Sequence, residues 1–414
     1  MGMSKKLLTG FFTGLTLLFA LAVAHAKITA GAKSLRSSEP PKTQPLQARN
    51  FDNPAELKTL HDFSIVTLRH GLSERDPFEQ LFAAGALGVN GDAIGPMLLE
   101  DAFYSPDPSL RMASVDGLAD IGDAKAVAVL QRLFYESTDD ARRRLAVGGL
   151  SQIKDCAVTD PLLEAAEGSD PEMRMEAAQA LGNIGCKEVV KPLLALFSSE
   201  RDPFTQTLIG HALLLLGDNS SVQQIETALE HNPQHDVQAM AALALGDARD
   251  IAMVKPLRRA LTNSDIEVRM AAATALTHYS RRDGLQILRS AIVNRDYMVR
   301  HWLSDLLERL DFGVSRDLLT AALDSADPGL QLAATKAIGL RGGEHEVAAL
   351  MRQFHRANDP IVRADVAWAL GRIARPNCIQ PLLNMIAEPD PAVRYTAADA
   401  LARTTSRLLS GPAN

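Results

Sequence analysis

Hydrophobic positions in this chain recur on two scales. Within short stretches, small or apolar residues fall three or four apart, as in "DPEMRMEAAQALGNIG" (170–185) and its relative "DPSLRMASVDGLADIG" (107–122), the spacing of one face of an α-helix. Over longer distances the stretch itself returns, most often after 31 or 32 residues. Asp76, Asp107, Asp139, Asp170, Asp202, Asp265, Asp296, Asp327, Asp359 and Asp390 open its copies. An eleventh, degenerate copy is expected to open at His231, which gives eleven units in all.

Each position of the unit has a physical reason. Aspartate at position zero is an N-cap, whose carboxylate accepts backbone N–H groups that have no partner inside the helix. Proline follows it at Pro77, Pro108, Pro171, Pro203, Pro328, Pro360 and Pro391, where no donor is needed. Eleven residues on stand Leu87, Leu118, Leu150, Leu181, Leu213, Leu276, Leu307, Ile338, Leu370 and Leu401, the centre of a buried stripe. Gly91, Gly122, Gly185, Gly217, Gly246 and Gly342, placed at plus fifteen, suit a left-handed helix end. A second apolar segment separates these helices, as in "AVAVLQRLF" (126–134) and "VVKPLLALF" (189–197), so each unit is a helical hairpin. "NPAELKTLHDFSIVTLRHG" supplies the leading helix of the first hairpin, capped by Asn53.

A hairpin of about 31 residues cannot bury both faces alone, so neighbours must stack and share one core. The fold class is therefore all-α, an α-solenoid of about eleven stacked hairpins over residues 51–405, with a short tail at 406–414. In a linear stack the last unit has a neighbour on one side only, which predicts a smaller stability loss at Leu401 than at Leu181.

The D-P-x-x-R-x-x-A-x-x-A-L-x-x-I-G unit resembles the short HEAT repeat of the bilin-lyase-like family, over about residues 54–405. That resemblance implies the solenoid fold. For function it implies three classes: scaffolds, chromophore lyases and, as in deoxyhypusine hydroxylase, a di-iron oxygenase. The last of these implies paired His-Glu dipeptides spread over several repeats, and this chain has one, His345-Glu346.

Composition narrows the address. Lys5 and Lys6 precede "LLTGFFTGLTLLFALAVA", and "AHA" at Ala24 to Ala26 supplies the small-residue pattern read by signal peptidase. Residues 1–26 are thus expected to be a cleaved export signal, with an uncleaved anchor as the alternative and the only expected membrane contact. Either outcome puts the rest outside the cytoplasm, most simply in a periplasm, away from the cytoplasmic partners of a bilin lyase. Residues 27–50 carry five basic residues, one acidic and three prolines, and read as an extended tether. The body after residue 50 holds 36 basic and 49 acidic side chains, an imbalance that repels phosphate backbones and argues against nucleic acid.

Candidate chemistry is sparse. There is no phosphate loop, no H-E-x-x-H, no C-x-x-C, and no motif setting a nucleophile beside a base. No cofactor or metal is expected, and the leading functional reading is a non-catalytic adaptor for a protein or peptide. A divergent lyase-like or hydroxylase-like metal enzyme is the alternative, with a purely structural envelope component as a third class. Arg111, Arg143, Arg174, Arg269, Arg300, Arg363 and Arg394 stand at plus four, with Gln80, Gln206, His235 and Gln331 in the remaining copies. These donors are expected to bind the helix ends or aspartates of neighbouring repeats rather than a ligand. Cys156 and Cys186 fall in successive loops about 10 Å apart, so a disulfide and two buried thiols both remain open. The least regular units collect His278, Arg281, Tyr297, His301 and Trp302, a candidate partner-binding patch with aromatic anchors and a basic rim. Trp368, in a row at plus nine expected to face solvent with Asp116, His211, Thr274 and Asp305, is a further candidate.

Overall fold

The computed structural model describes residues 53–410; the expected export signal, the tether and the last four residues lie outside them. Among the described residues there are 22 α-helices and no strand, numbered here α1 to α22 in chain order and paired into eleven hairpins. The first hairpin is α1 (Pro54–Gly71) and α2 (Pro77–Val89), and the last is α21 (Pro376–Ile386) and α22 (Pro391–Ser410). The final helix thus runs through 406–410, the first half of the expected tail. No helix among the described residues is long and apolar enough to cross a membrane.

The aspartates cap as expected. Asp76, Asp107, Asp139, Asp170, Asp202, Asp265, Asp296, Asp359 and Asp390 each accept the backbone N–H two residues on or its neighbour, and Asp327 accepts from Leu330. The degenerate copy is shifted from its expected start. Its helix, α12 (His235–Asp247), begins after Gln234, so Gln234 and not His231 is position zero. With that origin the backbone falls into register. Plus fifteen is left-handed at Gly91, Gly122, Gly185 and Gly217, and also at Arg249, Ser280 and Ala374, where a Cβ makes the conformation costly. Gly246 moves to plus twelve, where it does a different job. A Cβ there would lie 2.8 Å from Ala275 of the next repeat, and one on Gly182 would lie 2.6 Å from Ala212. Missing side chains let neighbouring capped helices approach backbone to backbone.

The plus-four donors are structural. Arg111, Arg174, Arg269, Arg300 and Arg394 donate to carbonyls five or six residues earlier, at the end of the preceding helix, and so do Gln80, Gln206, Gln238 and Gln331. Gln238 takes the place expected of His235. Several reach the next repeat as well, as in Arg174 to Glu200 at 3.2 Å and Arg300 to Asp327 at 2.6 Å.

The chain divides into two compact units, one of residues 130–334 and one that joins 53–129 to 335–410. In the first, Cys156 and Cys186 form a disulfide with their Cα atoms 5.8 Å apart. Each cysteine begins or precedes a 3-10 turn, Cys156–Val158 or Lys187–Val189, and the one-residue offset between them closes the gap that equal register would leave. Cys378 stays a buried thiol.

In the second unit the two ends of the chain meet. Helix α22 packs against α20 (Pro360–Ile373) and also against α1. Tyr395 of α22 is fully buried there, its hydroxyl donating to Glu74 at 2.6 Å, with His70 Nδ1 at 3.3 Å. His61 of α1 approaches the Ala402 carbonyl and the Thr405 hydroxyl, each at 3.3 Å. The last repeat is therefore flanked on both sides, contrary to the linear expectation, and Leu401 is as buried as Leu181.

Candidate functional site

The expected patch separates into two places. His278 and Arg281 lie at and just beyond the C-terminal end of α14 (Ile266–His278), whereas Tyr297 and His301 lie near the N-terminal end of α16 (Tyr297–Leu307). Neighbouring capped helices run in the same direction, so the two groups stand roughly a helix length, about 18 Å, apart. Their registers, plus thirteen and sixteen against plus one and five, never made them neighbours.

At the N-terminal end, Tyr297 is 61% exposed and stacks on His301, with ring centroids 5.8 Å apart and planes 11° from parallel. The Arg300 guanidinium sits 5.9 Å from the Tyr297 ring centre. Val293, in the preceding turn, is 80% exposed. Beside them opens a groove of about 970 Å³ whose walls include Ile292, Val293, Arg300, Asp317 and Pro328. Trp302 is half-buried, as its plus-six register allows. His301 also faces Asp305, which burial pushes up to about 6, with His301 drawing it down and Glu308 opposing.

His278 belongs to a different assembly. Its Nδ1 lies 2.9 Å from Asp247 Oδ1 and its Nε2 2.5 Å from the Arg309 carbonyl, while His211 Nε2 lies 2.8 Å from Asp247 Oδ2. Burial alone would raise Asp247, but hydrogen bonds from the two imidazoles hold it far below the carboxylate range. Desolvation lowers His211, which is 3% exposed, despite its bond to Asp247. For His278 desolvation is outweighed by the Asp247 and Arg309 bonds, and the net shift is upward. Asp247 thus bridges two imidazoles, one whose proton affinity burial lowers and one whose hydrogen bonds raise it. Both Asp247 oxygens and both His278 nitrogens are engaged, and Tyr279 donates its hydroxyl to Leu245 nearby.

In the second unit a smaller pocket, about 70 Å³, is lined by Phe78, Leu81 and Phe82 on one side and by Asp116, Asp120, Asp399 and Arg403 on the other. Arg403 donates from Nε to Asp399 Oδ2 at 2.7 Å; Asp399 is 6% exposed and its Oδ1 has no hydrogen-bond partner. Burial raises Asp399 and Asp120, with Arg403 and Arg372 pulling the other way in both cases. Asp120 nevertheless keeps an exposed side chain.

The plus-nine row is only partly solvent-facing, with Gln179, Asp305 and Lys336 half-buried. Asp116, His211, Thr274 and Asp399 are between 0% and 6% exposed, because glycines at plus twelve draw the helices together over this row. Trp368 is half-buried for the same reason. Its ring packs where a Cβ on Gly339 would stand, with Arg372 5.9 Å from the ring centre.

A di-iron group does not fit the side chains present. Glu346 of the single His-Glu pair is buried and accepts the Gly343 N–H at 2.7 Å, so it starts a helix. Among the described residues, the one set of three potential ligands whose atoms all lie within 4.8 Å is Cys156, Cys186 and Glu188, and its sulfurs are joined to each other. His211, Asp247 and His278 satisfy one another instead of converging on a common point.

Val293, Asp247, Asp120, Asp399 and Arg403 escaped the sequence reading. Charged residues at plus thirteen (Asp120, Asp247, His278, Arg309, Arg372, Arg403) were the available signal, and the misplaced origin at His231 hid it by displacing Asp247 from the row.

A family model described as HEAT repeats matches residues 65–151, 143–214, 159–246, 222–308, 287–371 and 347–408. Deoxyhypusine hydroxylase-B of Oryza sativa subsp. japonica is 24% identical over 273 residues, 58% of this chain and 90% of that protein. Deoxyhypusine hydroxylase of Mus musculus is 27% identical over 300 residues, 70% of this chain and 84% of that protein. Among solved structures, the complex of CpcE and CpcF of phycocyanin lyase from Nostoc aligns with a TM-score of 0.40 at 20% identity, covering 60% of this chain and 95% of that one. Human deoxyhypusine hydroxylase in complex with glycerol aligns with a TM-score of 0.29 at 19% identity, covering 68% and 96%.

Proposed function

The chain belongs to the HEAT-repeat family, and from that architecture we propose an exported, non-catalytic adaptor that binds a protein or peptide partner through the surface around Tyr297. The carrying observation is the pair Val293 and Tyr297, at 80% and 61% exposure, standing beside an open groove. Apolar and aromatic groups exposed together beside a groove are a feature of recognition surfaces. Export is supported by the basic-apolar-small pattern of residues 1–26 and by the Cys156–Cys186 bridge, a bond that persists in oxidising compartments.

The test is capture from envelope extract by the mature chain and by Tyr297→Ala, with melting of both recorded. A discrete partner whose retention falls about tenfold or more, on a chain that melts as before, supports the reading. Equal retention by both removes this surface from consideration.

A second reading, a metal-dependent hydroxylase, is favoured by the names of the two relatives at 24% and 27% identity. The donor geometry argues against it. Metal analysis of the purified chain after loading with ferrous iron decides: stoichiometric retained iron would replace the adaptor reading.

A further inference from the structure

We propose that Cys156, Cys186 and Glu188 become a zinc-binding site when the bridge between the two cysteines is reduced. Nothing in this rests on the Tyr297 surface. The loop after α6 (Asp140–Gln152) carries Cys156 and the loop after α8 (Pro171–Ile184) carries Cys186, so the pair joins consecutive repeats. Glu188 stands two residues past Cys186, on the 3-10 turn that Cys186 precedes. One ligand atom from each of the three lies within 4.8 Å of the others. A disulfide has no use for a carboxylate. Glu188 is exposed and makes no hydrogen bond or ion pair among the described residues, which leaves its oxygens free for an ion.

A disulfide offers a metal no thiolate, so the site is closed while the sulfurs are joined. Its opening is directional, because Cys156 is exposed whereas Cys186 is 4% exposed. A thiolate of an external dithiol attacks Cys156 Sγ, and Cys186 leaves as a thiolate. The second thiol of the donor then attacks the donor's own sulfur in the mixed disulfide and releases Cys156. The donor ends as a disulfide, and two electrons and two protons have passed to the cysteines. Zinc displaces those protons, forms two bonds to sulfur and one to a Glu188 oxygen, and leaves its fourth tetrahedral position to water. With the Cα atoms 5.8 Å apart, side-chain rotation brings the sulfurs to the separation of roughly 3.8 Å that a tetrahedral pair needs. Two thiolates select a soft or borderline ion, and the carboxylate favours zinc over monovalent copper. The ion then crosslinks the same two loops that the covalent bond had joined.

For the test, the full mature chain is reduced with a water-soluble phosphine, freed of reductant under argon, and titrated with cobalt(II), a zinc surrogate whose thiolate bonds absorb light, and then with zinc(II). One equivalent of cobalt should give the sulfur-to-metal band and one equivalent of zinc should abolish it, while the oxidised chain gives none. Cys378→Ser should leave the titration as it was, Cys186→Ser should abolish the band, and Glu188→Gln should weaken binding about tenfold or more. Zinc should also raise the melting temperature of the reduced chain and leave that of the oxidised chain unmoved. A reduced chain without the band, a band of equal strength in the oxidised chain or in Cys186→Ser, equal affinity in Glu188→Gln, or reduced-chain melting that zinc leaves unmoved would each overturn the proposal.

Discussion

The two units treat buried charge in opposite ways. In the unit of residues 130–334, Asp247 is matched oxygen for nitrogen by His211 and His278, and the leftover nitrogen of His278 finds the Arg309 carbonyl. In the other unit, Asp116, Asp120 and Asp399 share a small pocket with Arg403, Arg372 also draws on Asp120 and Asp399, and Asp399 Oδ1 is unmatched. Both clusters are built from plus-nine and plus-thirteen positions of several repeats. A polar cluster whose members satisfy each other holds helices in place; one that leaves a buried oxygen unmatched does so at a cost. Histidine and aspartate side by side are therefore less informative than the bonds left over once they are paired.

The largest effect should come from the cores of the two units. Leu181→Ala and Leu401→Ala should each cost about 2 to 5 kcal/mol in unfolding free energy, since both leucines are 0% exposed. A markedly smaller loss at Leu401 would mean that α1 does not close over α22 in solution. Next is the covalent staple that only the first unit carries among the described residues. Reducing Cys156–Cys186 should lower stability by about 2 to 4 kcal/mol, read by denaturant melts with and without reductant.

Exchanging one carboxylate in each cluster sharpens the contrast directly. Asp247→Asn should cost about 1 to 3 kcal/mol, because an amide cannot accept from both imidazoles, whereas Asp120→Asn should stay within about 0.5 kcal/mol or gain stability. Equal losses would erase the distinction between the two clusters. The last effect is on pH dependence. Burial, reinforced by Asp76, Asp390 and Glu74, pushes Glu79 up to about 8; burial, reinforced by Asp265, Asp236 and Asp305, pushes Glu267 up to about 7. In both cases the folded state binds the extra proton, so each contribution is lost as pH rises from the ordinary value near 4.5 toward the shifted one. Glu267→Gln should flatten the melting profile below pH 7 and Glu79→Gln below pH 8; a slope unchanged in both would show that these carboxyls titrate normally.

The fold was legible because capping and stacking are local and repeat: Asp76 to Asp390, the plus-eleven leucines and the plus-four donors announce themselves at fixed spacing. The end-to-end packing was not, because Tyr395, Glu74 and His70 come from opposite ends of the chain, and no period links them. Site positions suffered from two misreadings. Placing the sixth origin at His231 instead of Gln234 hid Asp247, and treating plus nine as solvent-facing ignored what glycine at plus twelve does to the distance between helices. Tyr297 and His301 were singled out because they break the repeat, and Val293 was not because nothing in its spacing marks it.

The most direct test of the binding account puts a photo-crosslinking benzophenone side chain in place of Tyr297 and, as a control in the same unit, in place of Tyr135, which is 50% exposed. Irradiated in envelope extract, the chain substituted at Tyr297 should give a discrete adduct with one partner, and the chain substituted at Tyr135 should not. Adducts of equal yield at both positions, or none at Tyr297, would contradict it.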